Sequence, residues 1–370
     1  MMQRVLMYGL CMAMTGLMGC QHAPADRTLV RTADAYQLGF AAVWAGNLSV
    51  PASQDITAAV VLDDLLVTIE TPSNMVTAVT VKDGHVRWRH VVGQGREQAL
   101  AAFRRGDRLF INTENHVYQL DAHTGDLRNI TDLEQTVSAG PAVYEDYGIF
   151  GGVNGLVFAH DLTSGLSKWS YLLTDQIRYR PVGFTNTVFV ADRRGVLAML
   201  NSGSGELLWR RTPADGVAGQ PVVTSVAVIV PTTDHKLFAL QRATSQDRWK
   251  NVYEQDLPRG PIVVETMLFQ PLEDGSWLAL EVGTGKELWR LSGKSFKEPW
   301  RSAEKYHSIV RTRQGLLFAS ANEFTLIEPA TGRIIRQQAT QPTQAVLPLP
   351  GGSLLVLSPT GGTMRLDPLE

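Results

Sequence analysis

The sequence predicts an all-β fold: an eight-bladed β-propeller in which each blade is a four-stranded antiparallel sheet. Three observations predict it. A hairpin pattern returns about every forty residues, short apolar runs precede each copy, and the two ends of the chain each carry part of one further unit. The 370 residues are 44% hydrophobic and 19% charged, so the chain has ample apolar material for a folded core.

The charge balance argues against one class of partner. The 34 Lys and Arg residues against 36 Asp and Glu give a formal net charge of −2, which leaves no surplus to neutralise a phosphate backbone. The basic residues also form no block along the chain. We therefore expect no nucleic acid partner.

The first element is an N-terminal leader. Arg4 precedes an uncharged apolar stretch, residues 5–17, which is short for a bilayer span and typical of a secretory signal peptide. Residues 17–20, with the sequence Leu-Met-Gly-Cys, resemble the bacterial lipobox, and this resemblance implies cleavage before Cys20 and acylation of its side chain. An ordinary signal peptide with an incidental cysteine and a retained membrane helix remain alternatives.

The lipobox resemblance also implies an anchor and a location. Residues 1–19 form the signal peptide, and residues 20–36 form a lipid-anchored tether. Each buried methylene of an acyl chain contributes about 0.8 kcal/mol, so several chains on Cys20 hold a protein firmly on a membrane. Gln21, rather than Asp, follows the cysteine, and the sorting rule of Gram-negative envelopes then implies the periplasmic face of the outer membrane.

The hairpin repeat defines the blades. The turn positions are 84, 125, 165, 205, 245, 285 and 332, and their differences are 41, 40, 40, 40, 40 and 47. Apolar and polar residues alternate on both sides of each turn, as in a hairpin with one buried face. Two short runs precede each hairpin, for example 140–143 and 148–151, so the repeating unit has four strands.

A large residue four positions after most turns lies on the predicted outer strand. It is tryptophan in five of the seven copies, namely Trp88, Trp169, Trp209, Trp249 and Trp289, whereas Asn129 and Arg336 take the same position in the other two. An indole is large enough to fill the gap between adjacent blades. We expect these residues to pack the joints of the ring and to bind no cofactor.

Polar residues at the turns have a structural interpretation. Several acidic residues recur where a strand leads into its turn: Asp83, Asp121, Asp161 and Glu281. We expect their carboxylates to accept hydrogen bonds from backbone N–H groups of the turn. Three histidines lie at or near hairpins, namely His123, His160 and His235, and we expect them to be exposed to solvent.

The two ends of the chain predict how the ring closes. After the seventh hairpin, residues 344–349, 353–357 and 363–367 supply three strands of a blade that lacks its fourth. Residues 38–44 read as an outer strand with no hairpin before it, and its Trp44 lies 44 residues ahead of Trp88. Together the two ends complete an eighth blade, which removes two open sheet edges. The predicted propeller spans residues 37–370.

The hairpins resemble a known repeat. The pattern Ala-x-Asp-x-x-Thr-Gly-x-x-x-Trp, as in residues 278–289 and 197–209, resembles the quinoprotein-type propeller repeat. With the lipobox and no second domain, the chain resembles the BamB family of outer-membrane β-barrel assembly factors, and residues 138–141 and 151–155 are similar to strings in that family. The resemblance implies that loops from an outer strand to the next inner strand, here 131–138 and 174–181, dock onto the barrel-forming subunit.

The sequence contains few candidates for catalytic or metal-ligating residues. Cys11 and Cys20 are the only cysteines, so the body has no disulfide, no thiol nucleophile and no cysteine-ligated metal. The eight histidines show no His-x-x-x-His pairing. We predict no enzyme and no cofactor. A dehydrogenase using pyrroloquinoline quinone and Ca²⁺ is one alternative, and a sensor or carbohydrate-binding propeller is another.

Two stretches are candidate protein-binding sites. The irregular segment 294–307 contains Trp300, Arg301 and Tyr306, which no repeat position requires, and loop 175–180 contains Arg178, Tyr179 and Arg180. Exposed aromatic residues with arginine are typical of interface hot spots. A short helical insertion packed on its own blade is the alternative for the first segment. The predicted function is a monomeric, non-catalytic scaffold that binds other envelope proteins.

Overall fold

The computed structural model describes residues 29–93, 96–213, 215–295 and 308–369, and these residues form eight four-stranded antiparallel sheets. The innermost strands of neighbouring sheets contact one another around a common axis, so the sheets are blades of a ring. The predicted eight-bladed propeller is confirmed.

One short helix and the first strand precede the blades: α1 Thr32–Gln37 and β1 Phe40–Asn47. The first blade contains β2 Asp55–Leu62, β3 Leu65–Thr71, β4 Met75–Thr80 and β5 Val86–Val91. The second contains β6 Ala99–Arg105, β7 Arg108–Thr113, β8 His116–Asp121 and β9 Leu127–Asp132. The third contains β10 Ala142–Tyr144, β11 Tyr147–Gly151, β12 Leu156–Asp161 and β13 Ser167–Leu172. The fourth contains β14 Val182–Phe184, β15 Thr187–Ala191, β16 Leu197–Asn201 and β17 Leu207–Arg211.

The remaining blades follow the same order. The fifth contains β18 Val222–Val223, β19 Ala227–Pro231, β20 Lys236–Gln241 and β21 Asp247–Val252. The sixth contains β22 Ile262–Val264, β23 Met267–Pro271, β24 Trp277–Glu281 and β25 Glu287–Leu291. The seventh contains β26 Ser308–Arg311, β27 Leu316–Ala319, β28 Glu323–Ile327 and β29 Ile334–Ala339. The eighth contains β30 Ala345–Pro348, β31 Leu354–Leu357, β32 Gly362–Pro368 and β1. Two short 3₁₀ turns, Gly293–Ser295 and Pro350–Gly352, complete the described elements.

Strand pairing between the chain ends closes the ring. β1 pairs antiparallel with β32, from Phe40 opposite Pro368 to Asn47 opposite Gly362, with a bulge between Ala42 and Trp44. The N-terminal strand is therefore the outer strand of the last blade, as the sequence predicts. This pairing covers a sheet edge that would otherwise expose unpaired backbone groups.

The segment before β1 packs on the ring. Val30 and Ala35 are fully buried, in one cluster with Phe324 of the seventh blade and Val346 of the eighth. The sequence places residues 29–36 in the tether, whereas the structure shows them covering the joint between these two blades. Their small and apolar side chains remove apolar surface from water there.

The two middle strands of each blade form the core. Neighbouring blades cover both of their faces, so the strands are buried without alternation, as β19 and β28 show along their full length. The outer strands alternate instead, because one face contacts the next blade and the other faces solvent. The long apolar runs in the sequence are the signature of the middle strands.

The antiparallel order gives the ring two distinct faces. One face carries the turns at positions 84, 125, 165, 205, 245, 285 and 332, and we refer to it as the turn face. The opposite face carries the loops that connect each outer strand to the next inner strand, including 173–181 and 253–261, and we refer to it as the loop face.

Tryptophans join the blades in the way the sequence predicts. At six joints, an outer-strand indole N–H donates to a carbonyl in the turn of the following blade: Trp44 to Val81, Trp88 to Ala122, Trp169 to Ser202, Trp209 to Arg242, Trp249 to Val282 and Trp289 to Pro329. The indole ring also lies against the turn residue, as Trp88 does against Gly125. A Cβ atom on Gly125 would lie 2.5 Å from Trp88 Cδ2, so the close approach of this indole requires glycine.

Turn carboxylates accept backbone hydrogen bonds, which confirms their predicted role. Asp121 Oδ1 accepts from the N–H groups of His123 and Thr124 at 2.8 and 3.0 Å, and Asp161 makes the equivalent contacts in the next blade. These N–H donors, with Arg128, lower the pKa of Asp121 from 3.8 to about 2. Glu281 differs, because its longer side chain accepts from the Thr284 hydroxyl.

The expectation of an exposed His160 is wrong. Its side chain is buried beside Phe158, and Nδ1 lies 3.2 Å from the carbonyl oxygen of Gly165. Burial lowers the pKa of His160 below 6.5, because the interior disfavours the charged imidazolium. His160 lies on the same face of β12 as Phe158, which packs in one cluster with Phe110 and Val117 of the second blade, so this residue is buried although it is near a turn.

Acidification is expected to destabilise the fold through His160. The unfolded state takes up a proton near pH 6.5 while the folded state resists it, so this contribution is present above pH 6.5 and lost as the pH falls. One proton contributes a slope of at most about 1.4 kcal/mol per pH unit. Urea unfolding between pH 8 and pH 5 measures it: His160→Gln should flatten the dependence, and exposed His123→Gln should not. Equal profiles for wild type and His160→Gln contradict this assignment.

Candidate protein-binding site

The loop between the third and fourth blades, residues 173–181, is held rigidly at its centre. Ile177 is fully buried, and its N–H donates to the carbonyl of Gly152 at 3.1 Å. The Ser138 hydroxyl donates to the carbonyl of Ile177 at 2.7 Å. Gly151 allows the close approach, because a Cβ atom there would collide with the Ile177 side chain. The loop is therefore preorganised.

Ion pairs fix the start of the same loop to the fourth blade. Asp175 Oδ2 lies 3.0 Å from Arg193 Nη2 and 3.2 Å from Arg194 Nε, both in the turn that follows β15. The N–H of Gln176 and these guanidinium groups lower the pKa of Asp175. Since both arginines are largely exposed, each ion pair alone contributes little stability. Together the two ion pairs restrict the conformation of the loop.

The candidate residues Arg178, Tyr179 and Arg180 occupy the end of this loop. Tyr179 is half-buried, its hydroxyl lies 3.5 Å from the carbonyl oxygen of Val217, and burial raises its pKa. The backbone of Arg180 makes two reciprocal bonds with the Gln220 amide, of 3.1 and 3.0 Å. The side chains of Arg178 and Arg180 are exposed. The backbone is fixed, and both charged side chains face solvent.

A cavity of about 260 Å³ adjoins these residues on the loop face. Its lining comes from three successive blade connections and one turn: Arg178, Tyr179, Val217, Ala218, Thr232, Thr233, Asp256, Leu257 and Pro258. Asp256 Oδ1 lies 3.1 Å from His235 Nε2 at its edge. We refer to this cavity and the exposed side chains of Arg178 and Arg180 as the loop-face site.

The sequence identifies only part of this site. It singles out Arg178, Tyr179 and Arg180, of which the first two line the cavity and the third is exposed beside it, but it does not single out Val217, Leu257 or Pro258. The forty-residue period could have found them, because Ala218 and Pro258 lie 40 and 80 positions after Arg178. The other three candidates, Trp300, Arg301 and Tyr306, lie outside the described residues.

The potential metal ligands are dispersed over the part of the chain that the structure describes. Within residues 29–93, 96–213, 215–295 and 308–369, no three His, Cys, Asp or Glu side chains are grouped as metal ligands. The only cysteines are at positions 11 and 20, outside these ranges. In the same ranges, no helix is long and apolar enough to cross a membrane.

The fold defines a class of protein, the closed eight-bladed β-propeller, and the loop-face site is a preorganised feature of its surface. The comparisons define the family. The family model described as outer membrane protein assembly factor BamB matches residues 72–180, 154–292 and 193–365, so the chain belongs to the BamB family. Comparison with curated protein sequences gives no match.

Solved structures share the fold. BamB from Moraxella catarrhalis superposes with a TM-score of 0.68 at 16% identity, over 89% of this chain and 99% of that chain. The computationally designed Ika8 protein superposes with a TM-score of 0.69 at 14% identity, over 87% of this chain and 98% of its own. A natural assembly factor and a designed protein thus share this architecture, so the function is argued from the site.

Proposed function

We propose that the chain is a non-catalytic, lipid-anchored scaffold for outer-membrane protein assembly, and that its loop-face site binds another envelope protein. Membership of the BamB family supports the assembly role. The single observation that supports protein binding at this site is the rigid loop 173–181, which presents two exposed arginines beside a cavity. A preorganised loop loses little entropy on binding, which favours affinity.

The chemistry of the loop-face site defines the partner surface. Leu257 and Pro258 give the cavity an apolar wall, while Arg178 and Arg180 add positive charge at its edge. An arginine can bind a carboxylate with two parallel hydrogen bonds. The matching partner surface carries an apolar side chain flanked by acidic residues. We propose a soluble domain of the barrel-forming subunit as this partner, as the family resemblance implies.

The proposed location follows from the leader. Acylated Cys20 holds the scaffold on the periplasmic face of the outer membrane, and the residues that follow Cys20 connect this anchor to the propeller. Mass spectrometry of the mature chain tests the anchor. Acyl chains on an N-terminal Cys20 are expected, and an unmodified cysteine contradicts the proposal.

Charge reversal at the loop-face site is expected to disrupt the complex. Arg178→Glu together with Arg180→Glu should lower recovery of the partner at least tenfold, because two guanidinium groups are replaced by carboxylates, which repel the acidic residues of the partner. Affinity purification from detergent-solubilised envelopes measures the recovery. Arg248→Glu, an exposed charge reversal on β21, is the matched control and should retain the partner.

Two results would overturn the scaffold proposal. Equal recovery with the double variant and the control would show that the loop-face site does not bind the partner. Stoichiometric binding of pyrroloquinoline quinone by the purified protein, with reduction of a dye acceptor by alcohols or sugars, would show a dehydrogenase.

A further inference from the structure

The joint between the second and third blades differs from those that a tryptophan fills. Asn129 takes the tryptophan position on β9, where it is exposed, and its amide donates to Thr131 Oγ1 on its own strand, at 3.4 Å. A Cβ atom on Gly165 in the next turn would meet Thr131 Cγ2 at 3.1 Å, whereas the equivalent Gly205 faces an indole. Among the described residues, no indole lies against the Gly165 turn.

The seventh blade also lacks the tryptophan, but the chain covers that joint itself. Arg336 takes the position there, and its Nη1 donates to Gln37 Oε1 of helix α1 at 2.8 Å. Gln338 donates to the same oxygen at 2.6 Å. The N-terminal segment thus replaces the missing indole at one joint. Within the described residues, no such segment covers the joint beside Asn129.

A cavity of about 410 Å³ lies at this uncovered joint, on the turn face. Two of its lining residues correspond to the residues that hold an indole elsewhere. Phe110 occupies the same position in β7 as Phe189 does in β15, the second strand of the fourth blade. The ring centroid of Phe189 lies 6.1 Å from that of Trp209. Leu162 takes the position of Arg242, whose carbonyl accepts the Trp209 indole N–H at 2.8 Å.

The rim of this cavity is polar and held in place. Arg108 Nη1 donates to Thr163 Oγ1 across the joint at 3.0 Å, and Arg105 Nε donates to the carbonyl of Glu145 at 2.7 Å. Both bonds connect the second blade to the third. Asp107 and Asp146 also line the cavity. Guanidinium groups stack on aromatic faces and a carboxylate accepts a hydrogen bond from an indole N–H, so this rim suits an indole better than an aliphatic side chain.

We propose that this joint is a second binding site, which receives a tryptophan side chain from an extended segment of a partner protein. The repeat itself supplies the template. At six other joints an indole N–H donates to the carbonyl equivalent to that of Leu162, and at two of them the indole also lies beside the phenylalanine equivalent to Phe110. Two exposed apolar residues of β9 flank Asn129 and contact the backbone of the incoming segment: Leu127 is 43% exposed and Ile130 is 36% exposed. The site is independent of the loop-face site, which lies on the opposite face.

A peptide pair tests this site directly. The probe is a fluorescein-labelled heptapeptide, Thr-Val-Thr-Trp-Thr-Val-Thr, and its control carries alanine in place of tryptophan. Fluorescence anisotropy with the purified full chain should show at least tenfold tighter binding of the tryptophan peptide. Asn129→Trp fills the joint from within and should abolish that difference, while Asn129→Ala leaves the cavity open and should keep it.

The thermal midpoint gives a second readout. Asn129→Trp should raise the midpoint by several degrees, because the new indole repeats a contact made at six other joints. Asn129→Ala should leave it within a degree. Equal affinity for the two peptides, or unchanged peptide discrimination in a folded Asn129→Trp variant, overturns the proposal.

Discussion

Replacing Trp249 with alanine is expected to lower the free energy of unfolding by about 3–5 kcal/mol. The indole is buried between the fifth and sixth blades, and its N–H donates to the carbonyl of Val282 at 3.0 Å. Its ring lies on Gly285, which has no side chain that could fill the space the indole leaves. The substitution therefore opens a cavity at a joint on which the ring depends.

Two control variants separate the contributions. Trp249→Phe keeps most of the apolar contact and loses the N–H donor, so it should cost about 1 kcal/mol for the hydrogen bond plus a smaller packing loss. Leu288→Ala removes an exposed side chain from β25, also on an outer strand, and should change stability by about 0.5 kcal/mol or less. Urea unfolding at neutral pH measures all three. Similar losses for Trp249→Ala and Leu288→Ala would contradict the role of the indole.

Deletion of the closing strand is expected to have the second large effect. A chain that begins at residue 49 lacks β1 and the buried residues Val30, Ala35 and Phe40. Folded domains are stable by only about 5–15 kcal/mol, and this deletion exposes both apolar surface and the edge of β32. We expect loss of the cooperative transition, or association through the exposed edge.

Addition of the missing segment provides the control. A synthetic peptide of residues 29–48 should restore a cooperative urea transition and the monomeric mass in light scattering, because it can pair with β32 in the native register. A truncated chain that stays monomeric with an unchanged unfolding midpoint would show that the ring does not depend on closure by β1.

The architecture could be predicted from the sequence because it repeats. One hairpin is a weak signal, but seven turns at nearly constant spacing define the blade. The position of Trp44 in the repeat identifies β1 as the outer strand of the blade that β30, β31 and β32 form. The packing of residues 29–36 could not be predicted in this way, because it is a single contact between the chain ends with no repeated counterpart. The burial of His160 could not be predicted either, because it lies beside Phe158 on the strand face that packs against another blade.

The sites were predictable to different degrees. The composition of loop 175–180 indicates exposed arginines beside an aromatic residue, and the structure shows this arrangement. The cavity could not be read from the composition, because its wall comes from connections 40 and 80 residues further along. Asn129 was visible as an exception to the tryptophan pattern. The cavity at the same joint is lined by Phe110 and Leu162, which only the register brings together.

Site-specific cross-linking in the cells that encode the chain tests the scaffold function most directly. A photoreactive phenylalanine at position 178 lies in the loop-face site, and one at Lys286 lies on the turn face of the sixth blade, where that residue is also exposed. After irradiation, position 178 should give one discrete adduct with an envelope protein, and position 286 should give none. No adduct at 178, or the same adducts at both positions, would contradict the account.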